Sequence, residues 1–347
     1  MRSTSYLSKE IFITDTQNAF FSAVAVVVAL SLSQLADLGM ATGFFVVGMQ
    51  SVTGLNIKGQ IRNRIVAAAK AVSVLIGTAL LAVATKDHIA LAVLGAIALA
   101  FSFGYWRQVF PLNWPDVNIP AGVIFFMAMS DAHYSTPVSV TAIGGGLGLL
   151  SQLLLCIILP GVGEQEIKAT ENILSQNGNA KEESAFILQW SQQLKLRPDL
   201  LLYSITLSVL LAIGVLIDSF TSYGHGYWMP FTAIVVLQVS HTHTVKRIGE
   251  RMVGTLCGCL LGSGLLLLHL PPVLHIGLVA CNIFLFLYYV RKHYAVAVIF
   301  ITVFVLLLLG SHSSEPLQLA LERILFTLAG GALTFIISFA LLHKRQL

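Results

Sequence analysis

The chain has 347 residues, of which 56% are hydrophobic and only 10% are charged, with a net charge of +4. Soluble domains carry about 25% charge, so this balance excludes a soluble globular enzyme, and the excess of basic residues is not a nucleic-acid signal. The charges sit in short segments between long uncharged runs, which is the pattern of hydrocarbon spans joined by polar loops.

In chain order, the first apolar run, Phe20 to Ala36, follows Glu10 and Asp15 and lacks a small-residue cleavage site. It therefore reads as the first span and not as a removable signal peptide. Hydropathy predicts spans at 17–36, 39–54, 65–84, 89–104, 119–134 and 138–160, then at 199–218, 227–240, 252–270, 273–290, 294–309 and 317–342. The expected fold class is an all-α membrane protein with about twelve transmembrane helices, arranged as two parallel six-helix repeats. Several segments fall short of the roughly 20 residues that a straight spanning helix needs. The short ones cluster beside Pro120, Pro137, Pro230 and Pro316, which predicts broken or re-entrant helices shielded by the rest of the protein.

Three regions follow: an N-terminal six-helix repeat over 1–160, a cytoplasmic linker over 161–198 and a C-terminal six-helix repeat over 199–347. The linker is interrupted by Asn177, Gly178 and Asn179. Beyond that break, Phe186, Ile187, Trp190 and Leu194 fall near one helical face, as in an amphipathic helix lying on the membrane or the bundle. With the N-terminus in the cytoplasm, seventeen of the twenty Lys and Arg lie on the cytoplasmic side, Lys86 lies outside, and Lys70 and Arg323 lie within spans. This asymmetry predicts that both termini and the linker face the cytoplasm.

The halves share an order of features. Gln50 and Lys58 match Gln238 and Lys246, and Arg64, Ala67 and Ala71 match Arg251, Gly254 and Gly258. In the last pair of matches, a basic residue is followed by small residues three and seven positions later. His133 and Pro137 match His312 and Pro316, and each half closes on a glycine-bearing helix, with Gly144-Gly145-Gly146 in one and Gly330-Gly331 in the other. The shared order points to duplication.

The most informative stretch runs from Gly226 to Gly262. Tyr227 and Trp228 suit a water–lipid boundary, where amphipathic rings are favoured. Pro230 suits a helix start. Lys246, Arg247 and Arg251 read as a cytoplasmic turn. Gly254, Gly258 and Gly262, spaced by four, form a smooth stripe for close helix packing. This stretch resembles the fusaric-acid-resistance and aromatic-acid-exporter family of membrane transporters, on Tyr227, Trp228, Pro230, Thr232, Gln238, Arg247, Arg251, Gly254, Thr255 and Gly258. The resemblance implies transport in the bacterial inner membrane, with a small organic anion as substrate. Packing and orientation alone are the other reading of the same residues.

Ionisable groups inside a membrane are costly and point to function. Arg323 follows Glu322 inside the last span, and Lys70 lies within the third. Together they suggest an anion path. A buried ion pair for Arg323 and snorkelling to the surface for Lys70 are the structural alternatives. Glu322, Asp218 and Asp131 are the acids placed to couple transport to protons, unless they are simply solvated. Cys156, Cys257, Cys259 and Cys281 all lie in apolar runs and read as packing. His241 and His243 sit among basic residues, which disfavours a metal. No P-loop or hydrolase motif is present.

The expected function is secondary export of small organic anions such as aromatic carboxylates, coupled to protons. The expected route lies between the halves, with no cofactor, no metal and no catalytic residue. A passive organic-anion channel and a non-transporting membrane scaffold are the alternatives. The expected partners are the substrate, protons and the lipid bilayer. A homo-oligomer or a periplasmic adaptor remains open as a further partner.

Overall fold

The computed structural model describes residues 2–55, 61–109, 117–130, 136–158, 198–220, 225–268, 270–310 and 315–342. Among these residues the regular structure is helical throughout, with no strand. In the N-terminal part the helices are α1 (Arg2–Leu35), α2 (Thr42–Thr53), α3 (Ile61–Thr85), α4 (Ile89–Val109), α5 (Asn118–Ser130) and α6 (Thr136–Ile158). In the C-terminal part they are α7 (Pro198–Phe220), α8 (Trp228–Val236), α9 (His241–Leu267), α10 (Pro272–Tyr289), α11 (Tyr294–Gly310) and α12 (Pro316–Leu342). The linker and its expected amphipathic helix lie outside the described residues, apart from Pro198.

Local chemistry explains the helix ends. Proline falls in the first turn of α5, α6, α8, α10 and α12, where its missing N–H breaks no bond. After α1 the chain turns through Asp37 and Gly39, both left-handed at φ 49 and 52. The helix α2 then starts after a single 3-10 turn, Gly39–Ala41.

Among the described residues, seven helical segments are long and apolar enough to cross a bilayer: Thr16–Leu35, Arg64–Thr85, Thr136–Leu155, Pro198–Phe220, His241–Leu267, Pro272–Tyr289 and Leu317–Leu342. Ile89–Gly104, Asn118–Ser130 and Tyr294–Gly310 are apolar but shorter. The helices α2 and α8 are shorter again, at 12 and 9 residues. With about 1.5 Å rise per residue, α8 covers less than half of a hydrocarbon core about 30 Å thick. Both short helices are almost wholly buried among their neighbours.

Two boundaries differ from the sequence expectation by ten residues or more. The helix α1 starts at Arg2 and not near residue 17, because hydropathy marks only the apolar part of a continuous helix. The helix α9 starts at His241 and not near 252. The basic segment read as a turn is therefore the first turns of a long helix.

The packing pairs have a regular order. In the N-terminal part α2 packs on α1 and α6, and α3 packs on α5 and α6. In the C-terminal part α8 packs on α7 and α12, and α9 packs on α11 and α12. Across the parts, α4 packs on α7 and α10 packs on α1. Glycine permits the tightest crossings. A Cβ on Gly144 of α6 would lie 2.5 Å from the Phe45 carbonyl oxygen of α2, and one on Gly330 of α12 would lie 2.6 Å from the Met229 carbonyl oxygen of α8.

Candidate functional site

The short helix α8 and the long helices α9 and α12 build a polar seam inside an apolar core. Along α12, Arg323, Thr327, Thr334 and Ser338 are all buried. They recur every three to four residues or multiples of that, so they share one face. That face meets Thr232 of α8 and the side of α9 that carries His241, Arg251, Thr255 and Cys259. The two long helices run antiparallel: Cys259 Sγ approaches the Ala320 carbonyl at 3.7 Å, and His241 Nδ1 meets Ser338 Oγ at 3.0 Å.

Arg323 is 1% exposed. Its guanidinium carbon stands 4.8 Å from the centroid of the Trp228 ring, close enough for a cation–π contact. Its Nε and Nη2 have no hydrogen-bond acceptor among the described residues. Glu322, one position earlier, points elsewhere, since neighbours on a helix diverge by about 100°. Its carboxylate meets His225 Nδ1 at 2.6 Å and accepts a hydrogen bond from Gln318 Nε2 at 2.9 Å. The ion pair between Glu322 and Arg323, the structural alternative read from the sequence, is therefore not formed. His225 also stacks on Trp228, with centroids 4.7 Å apart and planes 20° apart. His225, Trp228, Glu322 and Arg323 thus form one cluster at the start of α8 and α12. Asp218 is half-buried in the last turn of α7.

Several expected roles change. Tyr227 and Trp228 are 8% and 2% exposed and pack inward, so they line the core and do not face the lipid boundary. Buried Trp228 serves as the shelf for Arg323. Arg251 is not in a turn. It is a residue of α9 that is 3% exposed, and its Nε and Nη2 have no acceptor among the described residues. Lys70 stands exposed on α3, so it does not supply a second buried cation beside Arg323. Asp131 and His133 lie outside the described residues.

The remaining motif residues have visible structural work. Pro230 packs on Gly214 of α7. The Thr232 hydroxyl donates back to the Trp228 carbonyl at 2.8 Å. Arg247 lies over the Tyr294 ring at 4.0 Å. After α8 the backbone is extended at Leu237 and Ser240. Thr244 bridges this break, accepting from the Gln238 N–H at 3.0 Å and donating to the Ser240 carbonyl at 2.9 Å. Gln238 donates from Nε2 to the Leu237 carbonyl at 2.8 Å. A cavity of about 340 Å³ opens beside the break, at the other end of the seam from Arg323, and is lined by Asp199, Leu202, Gln238, Val239, Ser240, His243 and Leu342. Gly254, Gly258 and Gly262 lie against Val298, Thr302 and Leu306 of α11.

Sequence reasoning missed His225 and the burial of Arg251. The contact between His225 and Glu322 spans 97 positions, and nothing local signals it. Arg251 had a signal: it precedes Gly254 and Gly258 by three and seven residues, which sets it on the packed face of the helix.

These features define an all-helical membrane protein with a charged seam buried in its C-terminal part. Residues 209–337, which contain most of the seam, match the family described as fusaric acid resistance protein-like. Similar stretches occur in an uncharacterized protein of Synechocystis sp. (34% identity over 135 residues, 39% of this chain) and in an uncharacterized protein of Haemophilus influenzae (30% over 135 residues, 38% of this chain). Another occurs in the inner membrane protein YccS of Escherichia coli (35% over 138 residues, 38% of this chain). The match covers 18% of the length of each of these relatives. No solved structure matches the chain.

Proposed function

We propose that the chain is a secondary transporter that exports small organic anions, aromatic carboxylates among them, in exchange for protons. The observation that carries this reading is Arg323: a buried guanidinium resting on Trp228, with Nε and Nη2 lacking acceptors among the described residues. An unpaired buried charge is costly, and an anionic substrate offsets that cost by supplying the missing acceptor. Trp228 offers an apolar face to an aromatic ring. Glu322 is the first candidate to carry the coupling proton, because His225 stands 2.6 Å away to exchange it, and Asp218 is the second.

The architecture proposed around this site is twelve membrane segments in two parallel six-helix repeats, 1–160 and 199–347, joined by the linker 161–198. The like-ordered packing supports it: α1, α2, α3, α5 and α6 pair among themselves much as α7, α8, α9, α11 and α12 do. The short helices α2 and α8 then enter the membrane within the shelter of their neighbours. The membrane proposed is the bacterial inner membrane, as the name of the Escherichia coli relative suggests, with both termini cytoplasmic. The anion route proposed from the seam runs inside the C-terminal repeat along α8, α9 and α12, not between the repeats as the sequence suggested.

The test is efflux of a hydroxybenzoate from cells that express the chain, read beside its abundance in the membrane. Arg323→Gln should abolish efflux with abundance retained, because it removes an unpaired buried charge. Arg323→Lys keeps the charge but loses the two-pronged grip on a carboxylate, and efflux should fall without vanishing. Wild-type efflux in Arg323→Gln would refute the reading.

A further inference from the structure

Arg323 is not the only buried arginine on the seam. Arg251 of α9 is 3% exposed, and its helix packs along α12, the helix of Arg323, with Cys259 Sγ 3.7 Å from the Ala320 carbonyl. In both residues the buried nitrogens without acceptors among the described residues are the same two, Nε and Nη2. These nitrogens lie on one edge of the guanidinium, and their N–H bonds run side by side. That edge matches the two oxygens of a carboxylate. Both arginines thus keep their carboxylate-binding edge uncommitted in an apolar core.

The surroundings repeat the pattern. The hydroxyl oxygens of Thr255 on α9, Tyr294 and Thr302 on α11, and Thr327 on α12 are also buried without a partner among the described residues. Buried polar atoms nearly always have partners, so a concentration of exceptions calls for an explanation. These three helices pack on one another. The neighbouring acids do not fill the gap: Glu322 is held by His225 and Gln318, and Glu250 faces Lys246 at 3.9 Å.

We propose that Arg251 and Arg323 together bind an organic dianion, with one carboxylate on each guanidinium, in the core between α9, α11 and α12. This rests on the anion-transport reading and adds to it a second arginine and a charge class for the substrate. Two like charges buried near one another raise each other's cost. A monoanion neutralises one of them and leaves the other unpaired. A molecule with two carboxylates neutralises both and gives the four free guanidinium edge atoms their acceptors, while the unpartnered hydroxyls of the same three helices offer further donors.

The experiment measures binding to the purified full-length chain in lipid nanodiscs by calorimetry, with benzoate and terephthalate as probes. The two probes share a ring and differ by one carboxylate. Terephthalate should bind about tenfold more tightly than benzoate or better, the scale of one added charge-assisted contact. Arg251→Gln should remove that advantage, so that the terephthalate-to-benzoate preference falls to near one. Arg251→Lys retains the charge without the fork, and its terephthalate affinity should fall between the two. Equal affinities in the wild-type chain, or an undiminished preference in Arg251→Gln, would overturn the dianion site, and the wild-type comparison stands even where a variant folds poorly. Equal binding together with hydroxybenzoate efflux sinks the two-arginine site alone. Binding of neither probe, together with absent efflux, sinks the transport reading as well.

Discussion

Replacing Gly258 by alanine adds one methyl group in the middle of the tight α9–α11 crossing. An ideal Cβ there falls 2.7 Å from Thr302 Cβ and 2.8 Å from the Ile299 carbonyl oxygen. Carbon–carbon contacts settle at about 3.5–4.0 Å, so the helices must part by about 1 Å, a gap that forfeits roughly a quarter to a half of the dispersion energy of the contacts it opens. Gly254 and Gly262 rest on the same helix, against Val298 and Leu306, so the parting spreads along the stripe. Packing is the main force joining helices in lipid, and overfilling a tight core costs about 1–3 kcal/mol. Alanine's better helix propensity returns about 1 kcal/mol, which blurs a comparison with wild type. Gly264 removes the blur: it lies on the same helix, and a Cβ there meets nothing within 4 Å. Gly264→Ala should be neutral or stabilising by up to about 1 kcal/mol, and Gly258→Ala should be less stable than Gly264→Ala by about 1–3 kcal/mol. The assay is a thermal or denaturant midpoint for each variant, purified in one mild detergent. Equal midpoints would refute the claim that this face is packed rather than open to lipid.

Three further outcomes are expected. Gln152 of α6 donates to the Thr53 and Val52 carbonyls at 2.6 and 3.1 Å, closing the end of α2. Gln152→Leu strands those acceptors and should lower stability by about 1–3 kcal/mol, read as a drop in the unfolding midpoint. Glu322→Gln keeps the size of the side chain and its bonding to Gln318 and His225 while removing the charge. The expected result is normal abundance with efflux no longer driven by a proton gradient, measured in energised vesicles, and gradient-driven efflux at the wild-type rate would exclude Glu322 as the proton carrier. Reporter fusions after Arg345 and near Asn177 should report a cytoplasmic location, and periplasmic activity at either position would overturn the proposed orientation.

Much of the architecture was legible in the sequence because lipid imposes a simple rule: long runs without charge are helices inside it. The proline-flanked short segments mark α5 and α8, and the four-residue glycine spacing marks the face of α9 that meets α11. The start of α9 was not legible, since hydropathy senses solvent preference and not backbone continuity, and His241–Arg251 is polar yet helical. For the same reason Arg251 resembled a loop charge, although its spacing from Gly254 and Gly258 placed it on the buried face. Lys70 carried the opposite ambiguity: it sits in an apolar run, but nothing in that run fixed which way it faces. The partner of Glu322 was out of reach, because His225 lies 97 positions away and only the folded chain brings α8 and α12 together.

The pairing of α10 with α1, and of α4 with α7, bears on how the protein is made. The two parts are clasped: the fourth helix of each covers the first helix of the other. The partner surface of α1 is synthesised roughly 240 residues after α1 itself, a delay of about 10–50 s at ordinary translation rates. During that time one side of α1 must be held by lipid or by the insertion machinery. A ribosome stalled before Pro272 would therefore leave α1 without its neighbour, and neither half made alone would have its first helix covered. The α4–α7 clasp can close as soon as α7 is made, whereas the α1–α10 clasp closes only after α10 follows.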